Sequence, residues 1–569
     1  MLNFSQFGRL VIALSLALYA MSAGATSFRV QCPMSTTLHP TPPLSAADNQ
    51  NPIGGSIKCQ QIGGGDGFAT MADGNQIYLF AFGPLSGLGD MAAGQPGTEP
   101  AWVFDQVDPS SPQVGDPVDQ SSTASPAPIK PGFFNGAVGL TQDPQVSTDP
   151  DCSASNPKPP SYCNPSSPYY GLDGFVDPRP IMDVGVMNGN EPAPTMAIDE
   201  DDEFFLTLTN VGMIMRPDLF EQHTVHFHGY PNASAFYDGV PDPSVAINIG
   251  GSMTYYYLAP DAGTYIWHCH ITPPEHLQMG MVGQIYVRPR QDRVPAGGNL
   301  YTDTTVGVLA QQKDPRTACY PQGDTNHTDP DILCSAPLPA VVPASDIHAN
   351  NLSGQPTHYT YNDGDGSTAY DVDYPIQMHG FDPNFHFVGM TFNPEPFTDM
   401  KDKYFLLNGR SYPDTVSPAN YISGWTPYGP MTTQSTDGTQ HDSQPLPSLI
   451  NIPVGGKALL RISDLDVTEE DTLASLGIPM HVIGYNAKLL RDQAGNNMDY
   501  YTNSITLGGG ESADIILDAS DTTKYQVGQT FYIYSPNLDH LSNDAENFGG
   551  MMTEIHICNA VDPTTKACS

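Results

Sequence analysis

The residues best able to do chemistry lie between Gly263 and Gly283, GTYIWHCHITPPEHLQMGMVG, where one cysteine is flanked by histidines and followed by a histidine and two methionines. Cys269 offers a soft thiolate, His276 an imidazole and Met281 a weak axial thioether. That is the donor set of a blue, or type 1, copper, which passes single electrons. A second imidazole is needed to close the trigonal plane, and His223 in the upstream run HTVHFHG can supply it from a strand crossing above the cysteine loop. Alternate side chains of a strand face opposite sides, so Cys269 points one way while His268 and His270 point the other. With His226 and His228 they make four imidazoles on one face. Buried imidazoles without partners are costly, which points to a second copper centre.

The run HTVHFHG, followed by WHCH, a spaced His and a spaced Met, resembles the copper-ligand signature of multicopper oxidases, the laccase-like cupredoxin family. Carried over residue by residue, the resemblance implies that His223, Cys269, His276 and Met281 hold type 1 copper and carry the catalytic electron transfer. It implies a type 2 role for His226 and type 3 roles for His228, His268 and His270. It also implies one-electron oxidation of a phenolic or metal-ion substrate coupled to reduction of oxygen. The partners would be oxygen and a reducing substrate or a basic electron donor. One spacing departs from the family: ITPPE places five residues between His270 and His276 where the family has three. The step from His276 to Met281 agrees with the family, selecting Met281 as axial donor and leaving Met279 to the core.

A complete trinuclear cluster in that family draws on further HxH motifs, and this chain has none. His379, with Gln377 at the partner position, and His540, with Leu538 there, read as structural or surface residues. The cysteine-bearing half also opens the chain, whereas in the family it closes it. Two other readings therefore stay open. Copper nitrite reductases have two domains, the type 1 site in the first and a longer loop after the cysteine; against them stand His226, where they carry an aspartate, and His270, which they lack. A type 1 electron carrier would leave His226, His228, His268 and His270 unexplained. The second centre would be completed by His379 and His540, by a neighbouring subunit, making the chain a homo-oligomer, or by a separate partner.

The elements that must position these residues read as all-β. Segments such as Gln76–Phe82, Glu203–Leu208, Ser252–Leu258 and Ser512–Leu517 are short, aromatic or β-branched, and bounded by Gly, Pro and Asp. With 54 Gly and 55 Pro, long helices are disfavoured, and two cupredoxin-like Greek-key β-sandwiches fit. The first spans about residues 27–289, with a Pro- and Ser-rich insertion over about 105–168, and the second spans about 300–569. Tyr404–Thr415 and Ile478–Leu490 resemble strand-turn segments of a copper-free multicopper oxidase domain.

Residues 1–25 read as a secretory signal peptide, which places the protein outside the cytoplasm as a secreted, periplasmic or cell-surface chain. No later apolar run is long enough to span a bilayer. Setting Cys269 aside, the nine cysteines leave four close pairs, Cys32 with Cys59, Cys152 with Cys163, Cys319 with Cys334 and Cys558 with Cys568, which suits disulfides in an oxidising compartment. A formal charge of -40, from 61 acidic and 21 basic residues, argues against nucleic acid or anionic membranes as partners and favours cations or a basic donor. The acidic run Asp199–Glu203 reads as a solvated turn, with a cation-facing patch as the alternative. Asn362–Gly366 reads as an acidic β-turn, with a calcium site as the alternative.

Overall fold

The computed structural model describes residues 55–104, 189–293 and 358–569 apart from short gaps, together with 32–33, 35–40, 140–141, 164–165 and 175–176. The expected signal peptide, nearly all of the 105–168 insertion and the pairs Cys152–Cys163 and Cys319–Cys334 lie outside the described residues. Among the described residues no helix is long and apolar enough to cross a membrane.

The fold is all-β, as the short aromatic and β-branched segments require. In the first half, β1 (Ile57–Thr70), β2 (Gln76–Pro84), β3 (Met196–Asp199), β4 (Glu203–Gly212), β5 (His226–Phe227), β6 (Ser252–Leu258), β7 (Gly263–His268) and β8 (Val282–Arg288) form two sheets. Their orders are β2-β1-β4-β6 and β3-β8-β7-β5. β1 runs parallel to β4, and β3 parallel to β8, while the other pairs are antiparallel. Between the sheets lies a core containing Phe80, Phe82, Leu206, Tyr255, Trp267 and Ile285.

The second half repeats this topology. Its strands are β9 (Val372–Phe381), β10 (Tyr404–Leu407), β11 (Ile450–Pro453), β12 (Lys457–Asp464), β13 (Asp471–Leu476), β14 (Met480–Tyr485), β15 (Ser504–Leu507), β16 (Ser512–Asp518), β17 (Thr530–Tyr534) and β18 (Met552–Cys558). One sheet contains the order β10-β9-β12-β16-β14 and the other β11-β18-β17-β13-β15. β9 is parallel to β12 and β11 to β18, matching the two parallel pairs of the first half. A second core, with Ile376, Leu460, Ile462, Val482 and Ile515, fills the space between these sheets.

The halves pack against each other through polar contacts. Thr264 Oγ1 donates to Asp514 Oδ1 at 2.6 Å, and Ser512 Oγ donates to the Thr264 carbonyl at 2.7 Å. The acidic run Asp199–Glu203 corrects its sequence reading, because Glu200, Asp201, Asp202 and Glu203 are buried. Asp201 pairs with Arg290 at 2.6 Å, Asp202 accepts the Ser56 amide at 2.6 Å, and Glu200 accepts from Asn362 of the second half at 2.8 Å. These partners lie far along the chain, so the run is a buried junction and not a solvated turn. Asp363 accepts the amides of Gly366 and Thr368 at 2.9 and 2.8 Å, which makes Asn362–Gly366 a self-bonded turn. Cys32–Cys59 and Cys558–Cys568 are disulfide-bonded, as their proximity in sequence suggests.

Candidate metal centre

β7 delivers the central residues. It pairs with β8 on one side and β5 on the other, setting His268 opposite His226 and Trp267 opposite Phe227. Cys269 follows at the strand end, buried, with its amide donating to the Met281 carbonyl at 3.1 Å. The unusual ITPPE spacer winds into a short helix, α1 (Pro273–Gln278), started by Pro at its first positions after Thr272 in a left-handed conformation. The helix takes up the extra residues and still returns His276 to the cysteine, with Nδ1 3.2 Å from Cys269 Sγ. The second half holds its far end, where Gln278 donates to Asp402 Oδ1 at 3.0 Å and accepts the Asp382 amide at 2.9 Å.

His223 reaches the same point from a bridge with Ile247. Donor atoms of His223, Cys269 and His276 lie within 4.8 Å of one another, all three residues buried. The fit to a soft metal rests on what this pocket leaves unsatisfied. Both ring nitrogens of His223 are buried without a hydrogen-bond partner, an arrangement that a metal bond would resolve. Burial pushes the Cys269 thiol up, but the His276 and His223 imidazoles overcome it and hold the group well below the usual thiol range. Burial opposes charge on His276, while the Cys269 thiolate and Glu221 raise it to about 10. Glu221 lies 3.5 Å from His276 Nε2, on the side facing the surface. Met279 and Met281 are both fully buried in the first core.

On the opposite side, donor atoms of His226, His228 and His268 lie within 4.8 Å of one another. The His270 ring stands 5.0 Å from that of His226 and 5.5 Å from that of His268. His226 Nδ1 donates to the Asp238 carbonyl and His268 Nδ1 to the Cys269 carbonyl, each at 2.7 Å. A carbonyl only accepts, so these bonds fix the proton on Nδ1 and leave Nε2 of both rings bare. His228 Nε2 then sits 3.0 Å from His268 Nε2, a spacing that one shared proton or a metal ion satisfies. Burial, reinforced by neighbouring imidazoles, lowers His228 and brings His268 down to about 3, so both rings are neutral at ordinary pH.

Neither His379 nor His540 joins these groups among the described residues. His540 is held between Glu469 and Asp471, each at 3.2 Å, and stacks on Phe405, which is the structural role expected for it. Sequence reasoning missed Glu221, Thr224 and the loop Asp466–Glu470. Thr224 donates its amide to Cys269 Sγ at 3.5 Å and its Oγ1 accepts the His270 amide at 3.0 Å, bridging the two groups. Its position inside HTVHFHG was the available signal for it.

Residues 176–292 match the profile of a multicopper oxidase domain. The chain is 33% identical over 109 residues to a laccase of Aspergillus fumigatus, covering 19% of this chain and 17% of that protein. It is 32% identical over 130 residues to a copper-containing nitrite reductase of Rhizobium meliloti, covering 22% and 31%. The chain thus spans less than a third of the length of either relative. A blue copper oxidase structure from Nitrosomonas europaea aligns at 18% identity over 65% of this chain and 78% of that one, with a TM-score of 0.39, too loose a likeness to carry an argument. The eight residues from His223 to Met281 all fall within the matched segment, and over that segment the chain is similar to a multicopper oxidase domain.

Proposed function

We propose that this chain is a copper-dependent oxidoreductase that couples one-electron oxidation of a phenolic or metal-ion substrate to reduction of oxygen. His223, Cys269, His276 and Met281 would hold type 1 copper, and His226, His228, His268 and His270 a second centre of type 2 and type 3 character. Bound copper supplies the one-electron chemistry, which no side chain here provides. The observation carrying this reading is the join at Cys269. Its Sγ faces His276 while its own carbonyl accepts from His268 Nδ1 at 2.7 Å, so one residue links both donor groups through covalent and hydrogen bonds.

The chain's residues have separable tasks. His276 and His223 keep the thiol of Cys269 deprotonated, and the burial of His223, Cys269 and Met281 excludes water from the soft donors. Glu221 orients His276 on the side nearest solvent, where a reducing substrate approaches. Backbone carbonyls hold His226 and His268 in the tautomer that ligates through Nε2. Because the family's further histidine motifs are missing, residues of a neighbouring subunit complete the second centre in a homo-oligomer. The disulfides Cys32–Cys59 and Cys558–Cys568 support export to an oxidising compartment.

The test is copper content per chain of the copper-loaded protein, with visible and electron paramagnetic resonance spectra and oxygen uptake. About four coppers with a blue band and oxygen consumption support the oxidase. One copper and no oxygen uptake would leave an electron carrier instead. A nitrite reductase is the second reading, favoured by the lengthened loop that forms α1; formation of nitric oxide from nitrite would select it.

A further inference from the structure

A cavity of about 500 Å³ opens beside the second histidine group, with His228 and His268 on one wall and the loop Leu465–Glu470 of the second half on the other. Gly510 closes one side, its backbone so near His228 that a Cβ would stand 3.3 Å from the ring. Three acidic residues line this space, Asp466, Glu469 and Glu470, and among the described residues no Lys or Arg does. His268 and Asp466 are buried, whereas Glu469 and Glu470 are exposed, so the histidines lie at the inner end and the glutamates at the mouth. His540 contacts Glu469 and Asp471 at 3.2 Å and offsets at most one charge at the mouth.

We propose that Asp466, Glu469 and Glu470 make this cavity an electrostatic filter, admitting neutral small molecules such as dioxygen to the His226–His228–His268 group and rejecting small anions such as nitrite, azide and halides. The physical reason is field focusing: like charges at the mouth of a cavity with low-dielectric walls lower the local concentration of an approaching ion of the same sign. A neutral molecule feels none of this. Copper held by neutral imidazoles keeps its positive charge and attracts anions, and the carboxylates offset that attraction. The inference rests on the reading that this histidine group holds copper, and it separates the oxygen-reducing reading from the nitrite-reducing one. Nothing in the ligand motifs predicts it, because the filter belongs to the copper-free half.

The test is azide titration of the copper-loaded protein, read by visible and electron paramagnetic resonance spectra without turnover. Glu469→Gln/Glu470→Gln, both at exposed positions, should bind azide about tenfold more tightly than the unmodified chain. Raising ionic strength with a non-coordinating salt should narrow the gap by screening the carboxylates. Carbon monoxide, a neutral ligand for the reduced protein, should bind both forms alike. Equal azide affinity in the two forms would overturn the filter while leaving the copper assignment intact. One copper per chain, with a blue band and no azide response in either form, would instead remove the reading beneath it, and the filter with it.

Discussion

Gly64 on β1 faces the ring of His223 so closely that a Cβ at this position would stand 2.6 Å from His223 Cδ2. No real side chain survives that contact, so either β1 or the imidazole must move. Gly64→Ala is therefore expected to shift or weaken the blue absorption of the copper-loaded protein. It should also cost about 1–3 kcal/mol of stability through overpacking. An unshifted spectrum in a folded variant would show that β1, and not the His223 ring, gives way.

Cys269 is the free cysteine among the described residues, and it is buried. Cys269→Ser keeps the volume and removes the soft donor. The blue band is expected to vanish while the circular dichroism spectrum stays native. Persistence of the band would sink the type 1 assignment.

His226 and His270 stand 5.0 Å apart, on the side of the backbone away from the Cys269 thiolate, and both are only partly buried. Alanine at either position should lower copper content and oxygen uptake while the blue band remains. A pure electron carrier would be indifferent to both changes, and metal analysis beside the spectrum separates the cases.

Gln278 ties α1 to the second half through Asp402 and the Asp382 amide. Gln278→Leu strands both partners in a buried setting. The expected loss is about 2–4 kcal/mol in chemical denaturation. The blue band should also shift, because His276 lies on the same short helix.

Glu191 is fully buried, with Oε1 3.3 Å from Gln377 Nε2. Burial raises its carboxyl from the ordinary 4.5 to about 8, and the bond from Gln377 opposes the rise only in part. Between those values the native chain keeps a proton that the unfolded chain releases. Stability from this group therefore falls as pH rises through that window, by at most about 1.4 kcal/mol per pH unit. Glu191→Gln should flatten the slope of melting temperature against pH across the same range, and an unchanged slope would place the carboxyl's titration elsewhere.

The clustering of these histidines and Cys269 was legible because it depends on particular residue types at short spacing. His226, His228, His268 and Cys269 sit within two local runs, and strand alternation separates the thiolate from its flanking imidazoles. The strands Ser252–Leu258 and Gln76–Pro84, the latter expected to end at Phe82, were legible for a similar reason, since aromatic and β-branched runs bounded by Gly, Pro and Asp mark a strand within a few residues. The extra residues of ITPPE were visible as a departure, but not the helix that absorbs them.

By itself the sequence determined the donor chemistry, the all-β class and the free cysteine, because each depends on residue type and near neighbours. Only the tertiary structure decided what depends on contacts between distant segments. It buried Glu200–Glu203, with Asp201 against Arg290 and Glu200 against Asn362, which lie 89 and 162 residues from the carboxylates they meet. It brought Gly64 against His223, and it set the carboxylates of Asp466–Glu470 across a cavity from His228 and His268. Those juxtapositions follow from how two sandwiches pack, and side-chain spacing along one strand carries no record of the surface that another strand will face.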